Sequence, residues 1–348
     1  MARRCLRWRP EKEYRYRICN VSIKTSLNFR FQGHAMELVE MDGSHTIQNF
    51  YDSLDIHFGH FFSVLVTADQ TPGDYYIVAS SRFLKRKVLT ATAVVHYAGS
   101  LAAPSSVLPK APTNWAWSFN QWRSFRWNLT ARAARPNPQG SYHHGSINIT
   151  RTIRFSSSRN FVDDRLRYAL NGVSHVDTET PLKLAEYFGF GGNYFMYDTV
   201  GDEPLTASAP IKLLPCVKTI EYQTFVEIIF ENSEKAVQAY HLDGYSFLVG
   251  MGTGKWSPEK RKTYNMLDVV SGHAVHVFPK SWSAFLMTFD NVGIWNLRSE
   301  LWERRYLGQQ LYISVQTPVR SLRDEYSLPD AALLCGAIVS PPKPPPYT

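Results

Sequence analysis

Two short stretches hold the residues whose types and spacing could carry chemistry. Val237–Gly244 reads Val-Gln-Ala-Tyr-His-Leu-Asp-Gly and sets an imidazole, His241, two positions from a carboxylate, Asp243. In Trp295–Gln309 the run Arg298-Ser299-Glu300 is followed by Arg304 and then Gln309. Alternate residues of a strand share a face, so Arg298 and Glu300 point one way and Ser299 the other. Metal chemistry is poorly served by this set. Arginine keeps its proton and has no lone pair to give, and a single histidine does not make a metal site.

Other candidates are weaker. Gly250-Met-Gly-Thr-Gly-Lys255 has the glycines of a phosphate loop, but it lacks the Walker spacing, runs into Trp256 and opens no helix. His57 and His60, and likewise His273 and His276, are three apart. In a strand that spacing sends the second pair to opposite faces, and both pairs read as ordinary surface or core residues. No paired carboxylates can be placed at glycosidase separation from the sequence. The four cysteines, Cys5, Cys19, Cys216 and Cys335, form no Cys-x-x-Cys pair, which argues against structural zinc. Sequons at Asn20, Asn128 and Asn148 favour a secreted, glycosylated protein. Asn148 lies in the alternating stretch Ile147–Phe155, on what reads as the wet face of a strand.

The elements that must position these residues are short and β-rich. Period-2 segments separated by Gly, Pro, Asn or Asp form two groups. The first comprises Tyr14–Asn20, Leu27–Phe31, Phe62–Ala68, Tyr75–Ser80 and Leu89–Tyr97. The second comprises Ile147–Phe155, Thr219–Phe230, Tyr245–Val249, Ala274–Phe278, Ala284–Phe289 and Leu311–Val315. Such a pattern predicts β-sandwiches. One helix is predicted, with Thr180 as N-cap, Pro181 in the first turn and Gly189 as the stop. An Ala-, Ser- and Pro-rich connection, Gly99–Asn114, runs into Trp115, Trp117, Phe119, Trp122, Phe125 and Trp127. These rings read either as a sugar-stacking platform or as an anchor of the connection to the cores, and the anchor is favoured.

The 348 residues, 44% hydrophobic and 14% aromatic, suffice for two β domains. Net charge is +8, with 38 basic against 30 acidic residues, and much of the excess lies in residues 1–17. The remainder has no basic stripe, which argues against nucleic acid, whereas an acidic polysaccharide suits a mildly basic surface. No run is long enough to span a membrane as a helix, and the basic N-terminus has no apolar segment of a signal peptide behind it.

The first stretch resembles the His-Pro-x-His-Leu-His-Gly motif of blue multicopper oxidases, with Gln238 and Asp243 at two of the histidines. The second aligns without a gap on Trp-x-x-His-Cys-His-Ile-x-x-His-x-x-x-Gly-(Met/Leu). Leu27–Ser53, Phe125–Thr152, Tyr306–Tyr312 and Ser321–Tyr326 extend the likeness to plant monocopper-oxidase-like proteins of the skewed-root type, the pollen-type L-ascorbate oxidase homologues above all. The resemblance implies an all-β fold of two cupredoxin-like Greek-key sandwiches, the second and third of a three-domain architecture. It sets a non-native or disordered leader at 1–12, a partial second domain at 13–99, an interdomain connector at 100–124, the third domain at 125–325 and a proline-rich tail at 326–348. It also implies that the first domain and the signal precede this sequence, and that Cys335 has its disulfide partner in that domain.

By the same alignment Gln238, Ser299, Arg304 and Gln309 occupy the type 1 copper positions, and His241, Asp243, Arg298 and Glu300 trinuclear ones. Of these only His241 keeps a ligand type. No cofactor is therefore expected, and the protein is read as a non-catalytic, extracellular cell-wall protein of polar, pollen-tube-like growth with an acidic polysaccharide as partner. The alternative is a copper-dependent oxidoreductase of the L-ascorbate oxidase or laccase type. Carried onto one pocket, Arg298 is expected to pair with Asp243, Glu300 or both, with His241 hydrogen-bonded nearby.

Overall fold

The computed structural model describes residues 5–84, 87–101, 107–126, 146–206, 209–317, 327–339, 341–342 and 344. They form two compact units, one running through Arg126 with Leu267–Gly272 added, the other running from 146 through Met266 and from His273 onward. Both are β structures. In the first unit one sheet has the order Cys5–Trp8, Thr90–Tyr97, Asp74–Ser81, Leu27–Phe31 and Leu54–Ile56. The other runs Glu13–Cys19, Phe61–Thr67, Met36–Met41 and Ser44–His45. Period-2 alternation explains the burial: Phe62, Val64 and Val66 turn inward from one strand and are almost wholly buried.

The expected leader is a correction. Cys5–Trp8 is a strand paired in parallel with Thr90–Tyr97, and Trp8 is 1% exposed, stacked on Tyr14 and set edge-on to His34. Basic neighbours mask this apolar anchor in the sequence. The connector boundary shifts as well. Trp115–Arg123 is a helix capped by the Asn114 side chain, and Arg126 bridges to Val269 within the same unit. Phe119, Trp122 and Phe125 are buried, so the anchor reading applies to those three, whereas Trp115 and Trp117 keep more exposure and Trp127 lies outside the described residues.

In the second unit, one sheet runs Lys212–Leu214, Val173–His175, Arg165–Leu170, Arg151–Val162, Phe225–Asn232, Ser281–Thr288 and Phe247–Thr253. The other runs Met196–Tyr197, Cys216–Glu221, Gln310–Gln316, Gly293–Ser299, Gln238–Leu242 and Ala274–Val277. Ile228, Phe230, Tyr240, Leu242, Phe285, Leu297 and Ile313 belong to one core cluster. The stretch read as one strand, Thr219–Phe230, is divided between the two sheets by a turn in which Gln223 takes φ +61°. The predicted helix is present as Leu182–Tyr187, and Gly189 ends it at φ +79°. Thr180 does not cap it: its hydroxyl accepts from the Ala337 N–H instead. The glycine-rich run is a strand in which a Cβ on Gly252 would lie 2.5 Å from the Trp282 ring, so packing explains that glycine.

Candidate functional site

Gln238–Leu242 lies between two antiparallel neighbours, Ala274–Val277 and Gly293–Ser299. Its register sets Tyr240 against Ser299 and His241 against Arg298. Strand alternation then separates the candidate residues onto two faces. Gln238 and Ser299 turn inward and are each 1% exposed, as is Tyr240. His241 and Arg298 turn outward and remain partly open, joined by Asp243 and Glu300 just beyond the strand ends.

The inward set forms a polar network in which Arg304 Nε and Gln309 Oε1 are left without a hydrogen-bond partner. The Arg304 guanidinium donates to both oxygens of Glu234, Nη1 to Oε1 at 3.0 Å and Nη2 to Oε2 at 2.7 Å. Gln238 Nε2 donates to Glu234 Oε1 at 3.1 Å and to Asn232 Oδ1 at 3.0 Å. The Tyr240 hydroxyl closes on Gln238 Oε1 at 2.8 Å. Arg304 also lies over the Tyr168 ring at 4.8 Å. Burial acts against its charge, but Glu234 outweighs burial and lifts the Arg304 pKa above its ordinary value. Gln309 donates to the Ser157 hydroxyl at 2.5 Å, and the Ser299 hydroxyl accepts from the Leu301 N–H at 3.3 Å.

The outward set is looser. Arg298 Nη1 lies 2.6 Å from Asp243 Oδ2, an ion pair by distance whose N–H is not aligned as a hydrogen bond. His241 Nε2 contacts Asp243 Oδ1 at 2.9 Å, and its Nδ1 is 3.7 Å from Glu300 Oε1. Arg298 Nε is 4.0 Å from the same Glu300 oxygen. Burial pushes the Asp243 carboxyl up, but His241 and Arg298 together outweigh it and hold the pKa at about 2. The expected pairing of Arg298 with Asp243, and of His241 beside them, is thus found. Glu300 is the more distant partner.

The frame around both faces is set by glycines. Gly244 has φ +75°, and a Cβ there would lie 2.1 Å from the Trp295 ring. Gly308 has φ +100° and would meet the Ser174 hydroxyl at 1.9 Å. A side chain at either position is excluded by backbone and space together.

Residues 4–100 and 180–321 each match a family model described as multicopper oxidase. The chain belongs to the multicopper oxidase family. It is 60% identical over 338 residues to an L-ascorbate oxidase homolog of Brassica napus, covering 97% of this chain and 61% of that protein. It is 40% identical over 344 residues to the monocopper oxidase-like protein SKU5 of Arabidopsis thaliana, covering 96% and 58%. The chain thus spans about three-fifths of the length of the curated relatives it matches. Among solved structures it is similar to Fet3p, a multicopper oxidase that functions in iron import. That likeness has a TM-score of 0.68 at 18% identity, covers 90% of this chain and 57% of that one, and carries the fold alone. The two units are cupredoxin-like domains of this architecture.

Tested against copper, the inward residues do not fit. Copper in a type 1 site takes imidazole nitrogens and a soft thiolate, whereas this face offers an amide, a hydroxyl and a guanidinium already bound to Glu234. Outward, the His241 imidazole, with the His273 ring edge-on to it at 5.1 Å, stands among carboxylates engaged with Arg298. Among the described residues no three His, Cys, Asp or Glu side chains are grouped to hold a metal ion. The buried Cys216 is elsewhere in the sheet, and burial pushes its thiol up to about 12. Glu234 and Tyr240 are the site residues that motif reading does not find. A buried arginine calls for a carboxylate, but nothing in the spacing distinguishes Glu234 from Glu231.

Of the sequons, Asn148 is exposed and lies just before the Arg151–Val162 strand, not within it. Asn20 is a correction: its amide nitrogen is buried and donates to the Thr25 and Ile56 carbonyls at 2.9 and 2.8 Å. An N-linked glycan would leave that nitrogen a single N–H and so could not keep both bonds. Asn128 lies outside the described residues. His57, His60 and His276 are core residues, while the half-buried His273 packs edge-on against His241 at 5.1 Å.

Proposed function

We propose that this chain acts without copper, as an extracellular cell-wall protein of the multicopper oxidase family that serves polar growth by binding and not by oxidation. On this reading Gln238, Ser299, Arg304 and Gln309 stand at former type 1 copper positions, and His241, Asp243, Arg298 and Glu300 at former trinuclear ones. The observation that carries it is the bidentate Arg304–Glu234 pair, with Gln238 bonded to the same carboxylate. A guanidinium cannot donate electrons to a metal, and its charge repels one. The role in polar growth, the apoplastic location and the glycan on Asn148 come from the likeness to plant relatives and from the sequon. An acidic polysaccharide is the partner that suits the net charge of +8.

The test is an oxidase assay, with ascorbate and with phenols, on the secreted product of the full gene after copper loading. No turnover above the buffer rate is expected. Copper-dependent oxidation of either substrate would overturn the reading in favour of an ascorbate-oxidase or laccase-type enzyme. Binding to de-esterified pectin, weakened by salt, is the expected positive result.

A further inference from the structure

In the first unit two imidazoles hold down a helix. His57 and His60 are each 1% exposed. His57 Nδ1 shares a hydrogen bond with the Ser26 hydroxyl at 2.7 Å, and its Nε2 shares one with the Ser118 hydroxyl at 3.2 Å. Ser118 belongs to the Trp115–Arg123 helix, so the ring links that helix to the sheets beneath. Trp122, one turn further on, meets the His57 ring edge-on at 6.4 Å and the His60 ring at 5.0 Å. Gln121 adds a strap that does not titrate, donating to the Ser53 carbonyl at 2.7 Å and accepting from the Asp55 N–H at 2.8 Å.

The charges around His57 are already committed. His60 Nδ1 is 2.5 Å from Asp42 Oδ2, with both side chains sealed from solvent. Arg82 is paired with Asp55 at 2.8 Å, and its Nη2 donates to the Asn114 carbonyl at the start of the helix at 3.0 Å. Phe83 stacks parallel to the His57 ring at 6.1 Å. A proton added to His57 therefore creates a buried cation beside His60 and Arg82, where the two carboxylates serve other groups. Burial first, then His60 and Arg82, hold the His57 imidazole well below its ordinary pKa.

We propose that His57, Ser26 and Ser118 form a proton-sensitive latch on the Trp115–Arg123 helix, which loosens when the ring is protonated. The open form exposes an imidazole of ordinary pKa, about 6.5. The latch is at full strength above that value and weakens as pH falls below it, because only the open form takes up the proton. The opening equilibrium constant rises about tenfold per pH unit over that range. The helix lies on the stretch of chain that leads from the first unit into the second, so the device would make this stretch responsive to an acidic surrounding.

Hydrogen exchange tests it, read on peptides covering residues 115–124 of the full protein between about pH 7.5 and about pH 5 and corrected for intrinsic rates. Protection of the helix is expected to fall about tenfold per unit below about pH 6.5, while peptides from Phe225–Asn232 keep theirs. His57→Gln, which preserves a neutral hydrogen-bonding side chain, is expected to flatten the profile. PH-independent protection in the natural protein, or an unchanged fall in His57→Gln, would overturn the proposal. Should that variant not fold, the NMR titration of the natural ring decides: no protonation down to the pH at which the helix opens supports the latch, and titration near 6.5 with the helix still closed refutes it.

Discussion

The two faces of the Gln238–Leu242 strand answer the same chemical question differently. Inward, Arg304 keeps 6% of its side-chain exposure and is met by both oxygens of Glu234, with Gln238 bonded to the same carboxylate. Outward, Arg298 keeps 16% and Asp243 42%, against 30% for Glu234, and Arg298 reaches Asp243 through one close contact. Water accounts for the difference. A cation in the interior must be neutralised and hydrogen-bonded within the protein, because desolvation costs several kcal/mol per ion. At the rim the Asp243 carboxylate keeps much of its own solvation, although Arg298 Nη1 is itself buried without an aligned acceptor. Charged side chains thus meet a bidentate, hydrogen-bonded carboxylate in the core and a single close ion pair at the rim.

That contrast is open to attack by substitution, and the largest effect is expected inside. Glu234→Gln leaves the Arg304 charge buried without its counter-ion and should cost about 3–5 kcal/mol of unfolding free energy, read by denaturant titration. Replacing both partners, with Arg304→Met in the Glu234→Gln background, should recover most of that loss. Failure to recover would mean that the pair has a role beyond charge compensation. The shared frame comes next. Gly244→Ala meets both a left-handed φ and the Trp295 ring, and a loss of about 2–4 kcal/mol is expected by the same titration.

Outside, Asp243→Asn should cost about 1–2 kcal/mol, since solvent around this 42% exposed carboxylate screens part of what its lowered pKa would otherwise contribute, and the loss should shrink with added salt. The pH dependence has a definite sign. The Asp243 pKa is lowered to about 2 in the folded chain, so its contribution is complete above the unfolded carboxyl value of about 3.9 and is lost as pH falls from there toward about 2. A stability profile of the natural protein against Asp243→Asn should show the two converging in that window. Equal losses at Glu234 and Asp243 would dissolve the distinction between the faces.

Much of this was legible in the sequence because the relevant signals are periodic or steric. Alternation marks most of the strands and puts Arg298 and Glu300 on one face. Gly244, Trp295 and Gly308 hold the motif frame recognisable, since backbone and packing require them whatever stands between them. Pairing of Arg298 with Asp243 follows once both are set in one pocket. What stayed hidden depends on contacts distant in sequence. Glu234 is one of several acidic residues until the fold brings Arg304 onto it, 70 positions away. Trp8 is core because Thr90–Tyr97 pairs with its strand, a long-range fact concealed by the arginines beside it. Helix Trp115–Arg123 shows in the sequence only as an aromatic cluster, because its cap, Asn114, sits at the end of a proline-rich connection that signals extended chain.

The most direct test of the central claim is copper stoichiometry with visible absorption on the purified, copper-loaded protein, in the natural form and as Ser299→Cys. The strong visible band of a type 1 centre requires a copper–thiolate bond, for which Ser299 supplies no sulfur. Neither form is expected to hold stoichiometric copper or to show the band, because Gln238 and the Glu234-bound Arg304 still fill the remaining positions. Stoichiometric copper with that band in the natural protein would contradict the account. Its appearance in Ser299→Cys alone would show that the charged network yields to the metal.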